Sequence, residues 1–592
     1  MKKYKLVIPI FLALLMLLPG CPEKETIRSD GAYTLTILHN NDGESKLFYL
    51  DDDLKNYGGI AQFGGIVEWE KNYIESNNSG NNDVIMVSSG DNFLAGVEFY
   101  ASQLDGTYYD AIALDELNYD AICFGNHDFD FGPEVLADFI KQVSESQATF
   151  LSTNLDFSGE PALRYLVDSG RIAKSVILKD KKREIGIIGA ITPQLDVIST
   201  PRNVRVIKDV AQAVQAEVTR LEELEVDIIV LLSHMQNFDA DIALANKLRG
   251  VDVMVAGGDD LVLANDCDLL IPGDEPYAPY PYFVTDLDKN LVPIVTTGGQ
   301  YGYLGKLVVI FDDAGKVVDV DRSASLPIRI ASADHPGKVR EEWLDCIDYG
   351  RDSDGVPPEV IEKYNDAVLK PLEAAIELLR RKIADSQVAL DGRESEVRSR
   401  STNVGDLVAD ALRWQAIRLA PDYGAPLPHV AIINGGAIRN DSVIPAGIIR
   451  ILDTIIIAPF ANFVTVVEGV SREQFKEILE NCVSQVEELD GRFGQISGFS
   501  FEWSATGTAQ AINPDNGSIM IRGTRITKVV LDGGEVIVSE GKVLPGAPLN
   551  IATTDWQARG GDEFNHGGAR FYSLGVSYQQ ALSNYITFAD GL

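Results

Sequence analysis

The stretch Ala121-Ile122-Cys123-Phe124-Gly125-Asn126-His127-Asp128-Phe129-Asp130 changes character at its middle. An apolar run of strand length gives way, through one glycine, to side chains able to hold a metal ion or a proton. The same break recurs along the first half of the chain. Leu35–Leu38 leads to Asn41-Asp42-Gly43-Glu44, Val84–Val87 to Gly90-Asp91-Asn92, and Ile228–Leu232 to Ser233-His234. Ligands of open α/β sheets bind beyond the carboxyl ends of the strands, so these groups are expected to converge. Singly, each has a plain alternative. Asp-Gly makes a turn, Asn-His-Asp can cap a helix, and a histidine after a strand is commonly a satisfied core residue. Jointly, Asp, Asp, Asn and His, each behind a buried strand, form a dinuclear metal layout in which one carboxylate bridges two ions.

Around these motifs, β-branched runs alternate with helical patterns from Thr34 to about Ser332, as in a layered α/β domain. The expected strands are Thr34–Leu38, Val84–Val87, Ala121–Phe124, Glu184–Ile188, Val226–Leu232 and Val251–Val255. Asn265–Asn290, rich in Pro, Asp and Tyr, reads as a surface insertion. Val368, Leu372, Ala375, Ile376, Leu379 and Ile383 keep helical spacing in a joint where Pro371 should kink or restart the helix. A second mixed α/β region follows from about Ser386. The 592 residues exceed what one core supports, and 45% hydrophobic content supplies two of ordinary size. The net charge of −37 makes polymeric nucleic acid and anionic membrane surfaces poor partners for the bulk surface. An anionic substrate would need local cations.

The first residues read as an address. Three lysines within Met1–Lys5 precede the apolar run Leu6–Leu18, which is short for a membrane span. Leu18-Pro19-Gly20-Cys21 resembles a bacterial lipobox, with Cys21 as the lipidated residue; an ordinary secretory signal is the alternative. Residues 22–31 read as a tether. Cys123, Cys267, Cys346 and Cys482 are widely spaced and suggest neither a zinc site nor a dense disulfide framework.

Gly90-Asp91-Asn92 and Gly125–Asp130 resemble the signatures of calcineurin-like metallophosphoesterases. Over nearly the whole mature chain the sequence is similar to the bacterial 5′-nucleotidase / UDP-sugar hydrolase family. The resemblance implies an N-terminal four-layer αββα sandwich over 32–335, a helical linker over 336–385 and a C-terminal mixed α/β domain over 386–592. It implies that Asp42 binds a first metal, that Asp91 bridges two, and that Asn126 and His234 bind the second. His127 would be the catalytic histidine and Asp130 would orient it. Two motifs depart from the family. Its Asp-x-His is here Asp42-Gly43-Glu44, which makes Glu44 a candidate ligand. Its Gly-Gly-His-Ser followed by His or Gln is here Gly257-Gly258-Asp259-Asp260. Without a gap, Gly258 falls on the histidine and Asp260 on the last ligand; with a one-residue slip, Asp259 replaces the histidine. The oxygen-rich set favours Mn²⁺ or Mg²⁺ over Zn²⁺ as the two divalent ions.

Val397–Asp406 and Ile433-Asn434-Gly435-Gly436-Ala437-Ile438-Arg439 resemble the family's arginine-bearing segment and its Asn-Gly-Gly-x-Ile-Arg loop. Arg393, Arg398, Arg400, Asn434 and Arg439 are therefore candidate substrate ligands, surface pairing with nearby Asp and Glu being the alternative for one or two of the arginines. Pro459-Phe460-Ala461-Asn462 and Asp555–Asp562 resemble the segments that wall the base pocket. They imply a base stacked between Phe460 and Trp556, with Asn462 nearby and Asp562 accepting from the ribose hydroxyls. The expected activity is hydrolysis of a nucleoside 5′-monophosphate outside the cytoplasm by an enzyme held to a bacterial membrane through its lipid alone. Alternatives are another phosphoester of the same fold, such as a 2′,3′-cyclic nucleotide or a nucleotide sugar, and a nucleotide-binding surface lipoprotein with a decayed metal site.

Overall fold

The computed structural model describes residues 32–590 except 51–52, 78–79, 145, 147, 267, 332–357 and 514–517. The expected signal segment with Cys21, the tether, Cys267, Cys346 and the start of the linker lie outside the described residues.

Two sheets stack face to face in the N-terminal region. One runs in the order Val317–Val320, Tyr303–Phe311, Tyr33–Asn40, Asn82–Ser88, Ala121–Cys123, Thr149–Leu151, Ile172–Ala173, with Leu326–Arg329 also paired to Tyr303–Phe311. The other runs Tyr282–Thr285, Leu291–Val295, Val253–Gly257, Ile228–His234, Ile185–Ile191, Ser175–Leu178. Every residue of Ile185–Ile191 and Ile228–His234 is buried, as central parallel strands covered on both faces require. Alternation along each strand divides the core. Leu35, Ile37, Ile85 and Val87 meet Ile187, Val230, Leu232 and Val255 between the sheets, whereas Leu38, Met86, Ile122 and Phe124 face the helical side. The outer face of the second sheet is covered by Val210–Glu223, whose Val210, Val214, Val218 and Leu221 form its buried stripe. The result is helices, sheet, sheet, helices.

Two expectations are corrected here. The Asn265–Asn290 segment is not wholly a surface insertion. Tyr282–Thr285 within it forms the edge strand of the second sheet, and Tyr280 is buried, its hydroxyl 2.8 Å from Nε2 of His39. In the joint, Pro358–Tyr364 runs through a widened turn, Asn365–Leu369, into Lys370–Leu379. Pro371 follows directly on the widened turn, which lets the helical path continue past a residue with no amide hydrogen to give. Val368, Leu372, Ala375 and Leu379 are buried as their spacing predicts. Ile383 is not on this helix. It belongs to the strand Lys382–Ser386, which pairs with Gly447–Arg450 of the C-terminal region.

The C-terminal region is built on a five-stranded sheet, Gly494–Ser497, Val430–Asn434, Leu549–Thr554, Phe463–Val470, Phe571–Ser577. Asn403–Leu419, capped by Thr402, and Tyr578–Asp590 contribute to the core on one side. Arg472–Cys482 and a second, four-stranded sheet build the core on the other. Cys123 and Cys482 are buried free thiols. Among the described residues, no helix is long and apolar enough to cross a membrane.

Candidate active site

The register of the parallel strands brings the loop residues together. Asn40 lies opposite Ser88, Ser88 opposite Ile122, and His234 opposite Gly257, so the strand ends are level within each sheet. Beyond them the loop Gly125–Asp130 is drawn against Asp91. A Cβ on Gly125 would stand 2.1 Å from Oδ1 of Asp91, so only glycine fits. Asp128 braces the approach, accepting from the backbone N of Asn92 at 3.0 Å, from Asn92 Nδ2 at 2.9 Å and from Gly125 N at 2.8 Å.

Among the described residues, two groups of potential metal donors result, Asp42 with Asp91 and His234, and Glu44 with Asp91 and His127, the atoms of each group within 4.8 Å of one another. Asp91 is common to both. His234 Nε2 lies 3.1 Å from Asp91 Oδ2 and 3.1 Å from Asn126 Oδ1. Its Nδ1 is 2.7 Å from the carbonyl of Ser89, which fixes the ring so that Nε2 offers its lone pair to the cluster. Asp42 is held by Asn41 Nδ2 at 2.6 Å and by the backbone N of Gly258 at 2.9 Å. Glu44 accepts from Gln300 Nε2 at 2.9 Å.

Burial pushes the Asp42 carboxyl up to about 7 against the pull of His234, with Asp91 adding to the rise. Burial acts on Asp91 too, but the imidazoles of His234 and His127 hold it below its ordinary value. For His234, burial opposes the charged form and the carboxylates of Asp91 and Asp42 overcome it, raising it to about 10. Carboxylates buried this closely need shared protons or a cation between them, and carboxylate, amide and imidazole donors in one cluster suit a divalent ion. His127 Nδ1 lies 2.6 Å from Asp130 Oδ2, and Asp130 Oδ1 accepts from Ser199 Oγ at 2.8 Å. Burial works against a charged His127, yet Asp130 and Asp91 hold it well above its ordinary value.

A cavity of about 540 Å³ opens from this cluster toward the C-terminal region. His127, Asp130 and Ser199 form one wall; Arg398, Arg439, Phe460, Trp556 and Asp562 form the other. The Arg439 guanidinium lies 5.2 Å from the centre of the Phe460 ring. Asn434 Nδ2 donates to Asp562 Oδ2 at 2.8 Å, and Asn434 Oδ1 is buried without a hydrogen-bond partner. Hydrogen bonds cross between the regions, among them Arg559 Nη1 to the carbonyl of Ser199 at 2.5 Å and the Tyr100 hydroxyl to the carbonyl of Phe460 at 3.3 Å.

Residues 382–567 match the family profile of the 5′-nucleotidase C-terminal domain. The chain is 26% identical over 571 residues to a 5′-nucleotidase of Diplobatis ommata, covering 94% of this chain and 87% of that one. It is 27% identical to a Homo sapiens 5′-nucleotidase over 79% of this chain and 75% of the other. Its fold matches the crystal structure of a 5′-nucleotidase precursor from Thermus thermophilus with a TM-score of 0.58 and 25% identity, over 94% and 97% of the two chains. Over nearly its whole length the chain is thus similar to 5′-nucleotidases, and its residues 382–567 match their C-terminal domain. With that come the two-domain α/β architecture and the enzyme class, a metal-dependent phosphoesterase.

Within this 5′-nucleotidase fold, Asp42, Glu44, Asp91, Asn126, His127 and His234 lie in one cluster. Asp259 does not join them. Its Oδ2 accepts from the backbone N of Phe238 at 3.2 Å, at the start of helix Phe238–Ala245. Asp260 is exposed at the edge of the cluster: its Oδ1 lies 3.8 Å, and Asp42 Cβ 3.2 Å, from where a Cβ on Gly299 would sit. Asn434, Asn462, Arg398, Arg439, Phe460, Trp556 and Asp562 line the cavity. Arg393 and Arg400 do not. They pair on the surface with Asp391, at 2.7 Å, and with Glu396. Sequence reasoning missed Gln236 and Gln300, which carry no motif signal, and gave no role to Asn41, Asp128 and Arg559, which lie inside quoted segments.

Proposed function

We propose that the chain hydrolyses nucleoside 5′-monophosphates to nucleoside and phosphate outside the cytoplasm, with two divalent cations, Mn²⁺ or Mg²⁺ before Zn²⁺, and that Cys21 carries a lipid anchor. The observation that carries the reading is one cavity bounded by His127 on one wall and by Phe460, Trp556 and two arginines on the other. Asp42, Glu44 and Asp91 would hold one cation, with Asp260 a further carboxylate near Asp42, and Asp91, Asn126 and His234 the other. Bound there, the cations supply Lewis acidity toward the phosphoryl oxygens and a nucleophilic water near neutral pH.

The residues of the chain do the rest. Phe460 and Trp556 take the base between them, Asp562 accepts from the ribose hydroxyls, and Arg439 and Arg398 attract the anionic ester. Water, losing one proton to solvent, from which His127 is later reprotonated, forms a new O–P bond as the bond from phosphorus to the 5′ oxygen breaks. His127, with Nδ1 tied to Asp130, presents Nε2 to the leaving oxygen and gives it the proton.

The direct test is phosphate release from AMP by the chain from Pro22 onward, freed of metal and resupplied with Mn²⁺, Mg²⁺, Zn²⁺ or chelator. Release that requires a cation is expected. None with any ion, on AMP, 2′,3′-cyclic AMP or UDP-glucose, would sink the reading. Trp556→Ala should raise KM for AMP by about 5- to 150-fold, the factor for about 1–3 kcal/mol of lost stacking. An unchanged KM would remove the base from this wall.

A further inference from the structure

We propose that Gln236 is a ligand of the second cation, filling the place that Gly258 leaves without a side chain; this rests on the two-cation reading above. Gln236 follows His234 by two residues and sits at φ 68°, a left-handed conformation that a non-glycine residue adopts at a cost. That turn directs its side chain into the cluster. The terminal amide nitrogen donates to Asn126 Oδ1 and lies 3.3 Å from His234 Nε2. Both contacts are to atoms assigned above to the second cation. A half-turn of the amide exchanges its nitrogen for Oε1, a hard donor, at the same point.

Three spacings suit a ligand shell, while the Gln236 amide nitrogen and Asn126 Oδ1 stand at hydrogen-bond contact. Asp91 Oδ2 to His234 Nε2 is 3.1 Å, His234 Nε2 to Asn126 Oδ1 is 3.1 Å, and the Gln236 amide to His234 Nε2 is 3.3 Å. Neighbouring ligands of an octahedral ion with bonds of about 2.1 Å stand about 3.0 Å apart.

Residue 258 cannot fill this position. Gly258 has φ +87°, and a Cβ on it would lie 2.9 Å from His234 Nε2 and 3.0 Å from Gln236 N. Its neighbour Asp259 is occupied with the start of helix Phe238–Ala245. The amide of Gln236 is thus the side-chain donor that reaches His234 and Asn126 from the Gly258 side.

The test counts ions. The metal-free chain from Pro22 onward is titrated with Mn²⁺, free ion being followed by its paramagnetic resonance, for wild type, Gln236→Met and Gln236→Glu. Methionine keeps the length but offers only a soft thioether; glutamate keeps a hard oxygen. Two ions are expected in wild type and in Gln236→Glu. In Gln236→Met one ion should weaken by tenfold or more while the other is unchanged. Two ions of wild-type affinity in Gln236→Met would overturn the inference and leave the two-cation reading standing. Loss of an ion in both variants would overturn it as well, since any change at this position would then suffice. Fewer than two ions in wild type would defeat the two-cation reading, and this inference with it.

Discussion

Replacing His127 by alanine is expected to lower phosphate release from AMP by about 10²- to 10⁴-fold, the usual contribution of a general acid, with both ions still bound. The retained ions are the discriminating part. His127 belongs by distance to the donor group of Glu44 and Asp91, so it could serve as a ligand. Its geometry argues for the other role. Nδ1 is committed to Asp130 at 2.6 Å, and Nε2 stands 4.0 Å from Asp91 Oδ2, farther than the 3.1 Å that separates His234 Nε2 from the same oxygen. Its wall faces Phe460 and Trp556, where the leaving nucleoside would lie. Measuring kcat and Mn²⁺ content on the same sample decides the matter. A fall in both would make His127 a ligand.

Asp110→Asn is expected to make the protein more stable than wild type by a margin that grows as pH rises. Asp110 stands in the first turn of helix Tyr109–Leu117, fully buried. Its Oδ2 accepts from the Ser45 hydroxyl at 3.1 Å, and its Oδ1 has no hydrogen-bond partner. Burial pushes its carboxyl up to about 8, against the Ser45 hydrogen bond and with Glu98 and Asp128 adding. The folded protein therefore keeps this proton over a range where the unfolded chain, near 3.9, has lost it. The stability it contributes is whole below about pH 4 and is lost as pH rises toward about 8, at about 1.4 kcal/mol per unit. Asparagine keeps an oxygen for Ser45 and has no proton to lose. The difference in unfolding free energy between the variant and wild type should be near zero at pH 4 and grow by about that slope to pH 8. A difference that stays flat across this range would show that Asp110 titrates normally.

The layered fold was legible because buried parallel strands are apolar on both faces, so each ends abruptly when the chain meets water or a ligand. Ile37, Ile85, Ile122 and Val230 announce strands in any frame. The residues just past them were legible as a cluster for the same reason. What could not be read was direction within a loop. Asp259 and Asp260 are the same side chain one residue apart, and only the backbone path decides that the first meets Phe238 N. Gln236 enters the cluster through a left-handed turn that its sequence does not announce. Ile383 kept the helical count after the helix had ended, because spacing records where apolar residues recur and not where the chain turns. Tyr280 was hidden by its flanking prolines, and Arg393 and Arg400 took the local alternative, pairing with Asp391 and Glu396 two and four residues away.

The two walls of the cavity belong to different regions of the chain, tied across by a few hydrogen bonds to main-chain carbonyls. On the proposed reading, an intact nucleotide is a bivalent ligand. Its phosphate engages the cation side, drawn there also by Arg398 and Arg439, its nucleoside engages Phe460 and Trp556, and each attachment raises the effective concentration of the second. Hydrolysis cuts that ligand into two monovalent fragments, each with half the attachments and none of the mutual reinforcement. Avidity is thus highest for the molecule still to be cut and collapses with the bond, so the chemical step itself loosens the grip on what it makes.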